Sequence, residues 1–430
     1  MSAKTAAPTP QITTLPSGLR VVSHENPTLE TVALGVWVAA GARHETEAEN
    51  GISHMLEHMA FKGTAKRTAR GIAEEIEQVG GELNAATSLE MTAYYARVLR
   101  DDEAVALEIL ADILQHSAYA VTEIKREREV ILQEIAGIMD SPDELAYDLL
   151  QDAAFPEQPV GRPIIGTRQT VSSFGADDLR RFLAQRYLAQ RTVVSAAGAI
   201  RHDALVRHVE AQFGTLNGGE GVEPEAARYV GGIRSSAKAF EQSHLLIGFE
   251  SPSYANEDFL TAQVYSGLMG GGMSSRLFQE VREERGLCYS IYASAWGLND
   301  SGLFSVHAAT GAEMMADLTD IVTSEMARSA AEVPGLGEVD RAKAQLKAGL
   351  LISLESSSAR AEQMARQLLV YGRLLTPREL IERVDAVTPE QLRGFAERML
   401  KGAPSATVVG AGRKSRHWAE EAHRRLSVGA

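Results

Sequence analysis

The chain has 430 residues, more than one ordinary hydrophobic core holds, which predicts two or more domains. Hydrophobic residues make up 44% and charged residues 23%, values typical of a folded globular protein and not of a disordered one. The formal net charge of −14 argues against a nucleic-acid partner, which requires phosphates to be neutralised, and favours cationic partners if the acidic groups surround a cavity.

The apolar runs are short: the stretch from Val32 to Ala40 is well below the roughly 20 residues that a membrane-spanning helix needs. The opening MSAKTAAPTPQ has no apolar segment of the kind found in secretory signals. A single cysteine, Cys288, cannot form an internal disulfide, which suits a reducing compartment. The sequence therefore predicts a cytoplasmic protein without a membrane partner.

The first third of the chain alternates strand and helix signals. Two strands rich in β-branched residues are expected within Gly18 to Ala40, separated at Asn26-Pro27. The segment from Glu49 to Lys62 has apolar residues at helical spacing, and GELNAATSLEMTAYYARVL after it predicts a strand pair. Two long helices are expected next, over Ala104–Gln115 and Ile124–Ile138.

Leu216 to Val230 has the glycine, proline and acidic composition of an exposed linker, and we place the domain boundary there, with domains over residues 1–220 and 221–430. The two sides are alike. Gly161-Arg162, DDLRRFLAQRYL and TVVSAAG recur as Gly372-Arg373, PEQLRGFAERML and ATVVGAG. This repeat predicts an α+β protein of two similar domains related by internal duplication, each a mostly antiparallel sheet packed with helices.

The first half alone carries a cluster of His and Glu residues, in the order H-M-L-E-H. His54 and His58 are four residues apart, which places both imidazoles on one face of a helix within reach of one metal ion. Glu57 lies on that face too, and we expect it to act as the base that activates a water molecule. The order H-x-x-E-H is the inverzincin signature.

A catalytic zinc with two histidines needs a further protein ligand, usually a carboxylate. The predicted helix KREREVILQEIAGIMD offers Glu127 and Glu134, seven residues apart and hence on one face. Glu134 follows the apolar residues Val130, Ile131 and Leu132, so it is expected to be the one that points inward. Glu127 would then orient a ligand or tune the water.

These motifs, from HMLEHMAFKGT to Glu134, resemble those of the pitrilysin family, and among them the half-length members related to the catalytic subunit of the mitochondrial processing peptidase. The resemblance covers nearly the whole chain. It implies a zinc peptidase with one Zn²⁺ per chain, because the third family ligand is a Glu 76 residues after the second His, which is Glu134 here. The accompanying family Glu seven residues earlier matches Glu127.

The resemblance also implies a peptide-binding edge strand in GGELNAATSLEMTAYY, where Asn84 and Ala85 are the candidate contacts. Arg282 and Tyr289 match a family pair that is directed toward the bound peptide. Glu144 and Asp148 fall where the processing peptidase recognises a basic residue before the cut, and two carboxylates four apart can hold a guanidinium. The chain departs from that peptidase's partner subunit, whose glycine-rich loop is long, whereas GGGMSS is short.

The sequence thus predicts a zinc endopeptidase that cleaves unfolded or presequence-like peptides with a preference for a basic residue. Two alternatives remain: a non-catalytic scaffold of the same fold, which predicts damaged motif positions, and a metal-binding module that would not need Glu57. Larger relatives enclose a chamber with four such units, so we expect a homodimer, or a heterodimer with a degenerate homologous subunit.

Overall fold

Two separate β-sheets organise the described part of the chain, residues 9–427, in the computed structural model. The residues cluster into two units. The first holds residues 9–135 together with Pro163–Glu225 and Ile352–Leu374; the second holds Ala136–Arg162, Ala226–Leu351 and residues 375–427. Residues 1–8, on which the expectation about a secretory signal partly rests, lie outside the described range.

The first unit contains a sheet of six strands and the helices that cover it. Its core consists of aliphatic and aromatic side chains from the strands and from the helices on one face of the sheet. In chain order its elements are β1 (Gln11–Thr14), β2 (Arg20–Glu25), β3 (Thr31–Val38), α1 (Ile52–Ala60), α2 (Ala69–Gln78), β4 (Glu82–Thr87), β5 (Thr92–Leu99), α3 (Glu103–Gln115), α4 (Val121–Asp140), α6 (Arg168–Ser173), α7 (Ala176–Arg186), β6 (Thr192–Gly198), α8 (His202–Phe213) and α12 (Ser357–Tyr371).

The second unit is built in the same way around a sheet of four strands with its own hydrophobic core. The last turn of α4 leads into it. Its elements are α5 (Pro142–Ala154), β7 (Gly232–Glu250), α9 (Phe259–Gly270), a π-helical turn (Phe278–Glu283), β8 (Ser290–Gly297), β9 (Gly302–Thr310), α10 (Met315–Ala331), α11 (Leu336–Ser353), α13 (Pro377–Ala386), α14 (Pro389–Leu400), β10 (Ser405–Ala411) and α15 (Ser415–Ser427).

Strand pairing in the two sheets follows one plan, which confirms two similar, mostly antiparallel domains. In the first sheet the order is β1-β2-β6-β3-β5-β4, with β6 parallel to β2 and antiparallel to β3. In the second sheet β10 pairs with both ends of the long strand β7. It is parallel to residues 232–235 and antiparallel to residues 244–248. β9 and β8 then follow as β5 and β4 do.

Each unit includes a helix from the other half of the sequence. The α12 residues Ala361 and Met364 pack on Val22 and Trp37 of the first sheet. In the second unit, α5 is tied to β7 by an ion pair of 2.5 Å between Arg234 and Asp152. The units therefore differ from the division at residue 220 expected from the linker. The physical reason is that the apolar side chains on both faces of an open sheet must be buried. α12 covers the second face of the first sheet, and α5 does so for the second sheet.

The predicted elements of the first third are present with small shifts at their ends. The helix expected over Glu49–Lys62 is shorter, Ile52–Ala60, because the chain reaches it through Gly51 with φ +94°. The helix expected over Ile124–Ile138 is longer, Val121–Asp140. Among residues 9–427 no helix is both long and apolar enough to cross a membrane.

Candidate metal centre

The start of α1 is fixed by a buried carboxylate. Glu45 is 2% exposed and accepts hydrogen bonds of 2.8 Å from the backbone N–H groups of Gly51 and Ser53, and its Oε2 also accepts from the Asn50 side chain. Burial raises the pKa of Glu45 to about 7, against the lowering effect of these hydrogen bonds. A carboxylate at this position satisfies orphan N–H groups and complements the helix dipole. It thereby fixes where α1 begins.

Glycine is required at the first residue of this turn. A Cβ on Gly51 would lie 2.7 Å from the carbonyl oxygen of Ile165, and its φ of +94° is one that side chains disfavour. The turn lets α1 lie against β4 and α7, with Met55 and Met59 buried in the core. His54 and His58 lie on the partly exposed side of the helix.

The structure brings His54, His58 and Glu134 together. Glu134 on α4 places its Oε2 3.5 Å from His58 Nε2 and 3.9 Å from His54 Nε2. The two imidazole rings are 4.7 Å apart in an edge-to-face arrangement. One ligand atom from each of the three residues lies within 4.8 Å of the others, the sole cluster of this kind among the described residues.

This donor set fits zinc. Two ligand atoms about 2.1 Å from a tetrahedral zinc are about 3.4 Å apart, and the distances to Glu134 are close to that value. Burial, and then the neighbouring His58, lower the pKa of His54 to about 4, so this imidazole is neutral and has a lone pair for a metal. Two histidines, a carboxylate and room for a water or substrate constitute a catalytic zinc set.

A second carboxylate supports His58 from behind. Glu127 Oε2 lies 3.0 Å from His58 Nδ1, and its other oxygen lies 2.7 Å from the ammonium nitrogen of Lys62. This contact assigns the proton to Nδ1 and leaves Nε2 free to face Glu134. In contrast, His54 Nδ1 is buried without a hydrogen-bond partner among the described residues.

The expected burial of the two α4 carboxylates is reversed in the structure. Glu127 is 6% exposed, whereas the Glu134 side chain is 41% exposed. The apolar run before Glu134 does not turn it inward, because Val130 is itself 40% exposed and only Ile131 is fully buried. Glu134 instead points into the open space beside the two histidines, where a metal ligand must be accessible to substrate.

Glu57 is half-buried on α1 between the two histidines. It is not one of the three clustered ligands. Burial raises the pKa of both Tyr94 and Tyr187, and the negative charge of Glu57 contributes to each increase. The hydroxyl groups of these tyrosines are 2.9 Å apart. Glu57 directly precedes His58 on α1, which keeps it next to the metal cluster.

Strand β4 forms one edge of the first sheet, and Asn84 and Ala85 lie in it. Asn84 is exposed and Ala85 is buried. The Asn84 side-chain oxygen accepts a hydrogen bond of 2.8 Å from the Ala85 backbone N–H. That N–H therefore does not pair with β5 and faces the free edge, where a strand-like ligand can bind.

Arg282 and Tyr289 belong to the second unit, not to the unit that carries the metal cluster. The Arg282 guanidinium lies 4.7 Å from the ring centroids of both Tyr289 and Phe278. This double cation–π contact holds the arginine in place. Tyr289 is 78% exposed, and Arg282 lies in a π-helical turn, a feature often found at functional sites.

Glu144 and Asp148 lie on α5 and also belong to the second unit, although the sequence division placed them in the catalytic domain. They are one helical turn apart. Burial, and then the charge of Glu144, raise the pKa of Asp148 to about 6. A cation bound beside Asp148 would offset both effects, because it stabilises the charged form of the carboxyl group.

Two family profiles and several known proteins match this chain. The family profile described as insulinase (peptidase family M16) matches residues 20–168, and the profile described as the peptidase M16 inactive domain matches residues 173–346. An uncharacterized zinc protease of Bacillus subtilis, YmxG, is 38% identical over 90% of this chain and 94% of its own length. A Rickettsia bellii zinc protease is 37% identical over 93% and 97%. The chain belongs to the M16 peptidase family.

Solved structures of similar fold include a protease from Helicobacter pylori, with a TM-score of 0.86 and 21% identity, covering 94% of this chain and 99% of that one. A Pseudomonas fluorescens structure described as a peptidase M16 inactive domain has a TM-score of 0.87 and 20% identity, covering 93% and 97%. At this identity the likeness concerns the fold. It confirms that both halves of the M16 chain adopt the duplicated architecture.

Sequence reasoning missed two members of the M16 site. Lys62 lies four residues after His58, just beyond the C-terminal end of α1. Its ion pair with Glu127 joins α4 to the end of α1, so neither segment alone predicts it. Glu45 lies six residues before Gly51. Local capping patterns extend about three residues, so this pattern gave no signal for it.

Proposed function

We propose that this M16 protein is a zinc-dependent endopeptidase. The convergence of His54, His58 and Glu134 on one point, with Glu127 aligning His58, is the observation that carries the proposal. One such cluster supports one zinc ion per chain. The zinc-protease names of the relatives that align over nine-tenths of the chain or more support the same activity.

The chain's own residues supply the proton transfers. When bound, zinc acts as a Lewis acid toward the scissile carbonyl and lowers the pKa of a water molecule. Glu57 takes a proton from the attacking water and passes it to the amine of the departing peptide. Arg282 and Tyr289 donate hydrogen bonds to the substrate as negative charge develops on its carbonyl oxygen.

The substrate is an extended peptide that pairs with the free edge of β4. The outward-facing N–H of Ala85 offers a backbone donor, and Asn84 moves aside to release it. Folded proteins cannot present such a strand, so unfolded or presequence-like segments are the preferred substrates. Glu144 and Asp148 bind a basic side chain near the cut, because paired carboxylates favour a guanidinium.

Two copies of the chain associate in this proposal. Arg282 and Tyr289 of one copy act at the metal cluster of the other, and a symmetric pair contains two complete sites. A heterodimer with a degenerate homologous subunit is the alternative. The lone Cys288 fits a protein that works in the cytoplasm.

The test measures cleavage of a quenched fluorescent peptide library together with bound zinc. A chelator should abolish cleavage, and added zinc should restore it. Glu57→Gln should retain zinc and lose about 10²- to 10⁴-fold in turnover, the usual contribution of a general base. Glu134→Gln should lose zinc affinity. Full activity in Glu57→Gln would contradict the mechanism, and zinc binding without any cleavage would identify a metal-binding module.

Assembly is tested by complementation. Glu57→Gln chains are mixed with Arg282→Ala/Tyr289→Phe chains, each inactive alone. A mixed dimer with a shared site regenerates one intact centre, so activity should return. No recovery despite proven subunit exchange would refute a shared site.

A further inference from the structure

A cavity of about 430 Å³ lies in the first unit on the sheet face opposite α1. The strands β3, β5 and β4 form its floor, and α12 forms one wall. α12 packs along β2, β6 and β3 and leaves the neighbouring part of β5 and β4 uncovered. The cavity is thus an open trough that reaches the edge strand. Its apolar lining includes Trp37, Ala86, Met91, Ala93 and Tyr95.

The trough follows one row of side chains across the sheet. Ala86 on β4 is paired with Ala93 on β5, and Ala93 is paired with Trp37 on β3. The row from the free edge inward therefore consists of the methyl groups of Ala86 and Ala93, followed by the Trp37 side chain, which is only 4% exposed. Strands are about 4.8 Å apart, so the two alanines leave a shelf about 10 Å deep that larger side chains would fill.

The hydrogen-bond pattern fixes which residues of β4 face the free edge. Ser88 donates its backbone N–H to the Met91 carbonyl at 2.8 Å, so the backbone polar groups of Ser88 point toward the β5 side. This direction alternates along an antiparallel strand. The backbone N–H and C=O groups of Ala86 therefore point toward β5, and those of Ala85 point toward the free edge. The contact between the Ala85 N–H and the Asn84 side chain agrees with this assignment.

A peptide added to this edge continues the same alternation of side chains. Ala85 points into the core on the α1 side, whereas Ala86 is exposed on the opposite face. Residues directly opposite each other on paired strands have side chains on the same face, with Cβ atoms about 5 Å apart. The peptide residue opposite Ala86 therefore directs its side chain over the Ala86–Ala93 shelf.

We propose that this trough is a specificity subsite for a large apolar side chain of the substrate, namely that of the residue paired with Ala86. The inference rests on the proposed peptidase function and on binding at the β4 edge. Trp37 and Met91 offer apolar contact, and the small Ala86 and Ala93 give room for a phenylalanine or leucine. At the rim, Arg366 and Glu362 are paired at 3.3 Å, so neither presents an uncompensated charge to the substrate.

The test uses peptides in which each position around the cut is Phe or Gly in turn. Cut sites are located by mass spectrometry, and kcat/KM is measured for wild type, Ala86→Phe and a control, Glu82→Phe. Glu82 lies on the same strand and face but does not line the trough. Zinc content and melting temperature are recorded for each variant. A parallel arm measures peptide binding by fluorescence anisotropy with the Glu57→Gln chain.

Wild type should favour Phe over Gly by at least about tenfold at one position, the discrimination that a fitted apolar pocket gives. Ala86→Phe should bring this ratio close to one, and Glu82→Phe should leave it unchanged. Two results overturn the subsite while the peptidase proposal stands. One is an unchanged Phe-to-Gly ratio of kcat/KM in Ala86→Phe, and the other is cleavage by wild type without a preference for Phe. No cleavage but Phe-selective binding by Glu57→Gln supports the subsite and refutes the peptidase. A change of assembly mass in Ala86→Phe, with selectivity intact, overturns the subsite in favour of a contact between copies.

Discussion

Replacing Glu127 with glutamine should weaken zinc binding without removing a ligand. The buried Glu127 carboxylate accepts from His58 Nδ1 at 3.0 Å and from Lys62 at 2.7 Å. A glutamine has one acceptor and one donor end. If its oxygen faces His58, its NH₂ group opposes the Lys62 ammonium; if it is flipped, it forces the His58 proton onto Nε2, the atom needed for zinc. The first arrangement loses the contact with Lys62, and the second keeps both contacts but loses the His58 tautomer that can bind zinc through Nε2.

Loss of such a supporting carboxylate typically weakens metal affinity by about 10- to 100-fold, or about 1.4 to 2.7 kcal/mol. Competition with a chromophoric chelator measures this difference directly. Glu129→Gln is the matched control, because Glu129 lies on the same helix and is exposed. A zinc affinity of Glu127→Gln within about twofold of wild type would refute the view that this contact aligns His58.

Three further outcomes follow from the structure. The preference for Arg over norleucine near the cut should fall as the pH drops through about 6, because Asp148 then becomes protonated and neutral. In Asp148→Asn the ratio of kcat/KM values for the two peptides should lose this pH dependence. Glu45→Gln should destabilise the fold by about 1–3 kcal/mol in urea unfolding, since one buried N–H of α1 loses its acceptor, whereas the exposed Glu47→Gln should have little effect. Gly51→Ala should cost about 1–3 kcal/mol from strain at φ +94°, while Gly137→Ala, in open space on α4, should stabilise by about 0.5–1 kcal/mol; equal effects at both glycines would contradict the assigned strain.

The sequence by itself determined the local features of this M16 protein. The spacing of His54 and His58 needs only helical geometry to place two imidazoles side by side, and the apolar periodicity predicted α1, α3 and α4 within a few residues of their ends. The recurrence of TVVSAAG as ATVVGAG predicted the duplication that the two sheets display, since the same local pattern folds into the same unit twice.

Only the tertiary structure decided the features that depend on distant segments. Which α4 carboxylate is buried was misjudged because burial depends on what packs against a helix face, and the local apolar run did not reveal that Glu127 faces Lys62. The sequence likewise did not predict that α5 belongs to the second unit and α12 to the first, because the sequence of neither helix indicates which sheet it covers. The shelf of Ala86, Ala93 and Trp37 unites three strands in one row, and strand register brings together residues that are up to 56 positions apart in the chain.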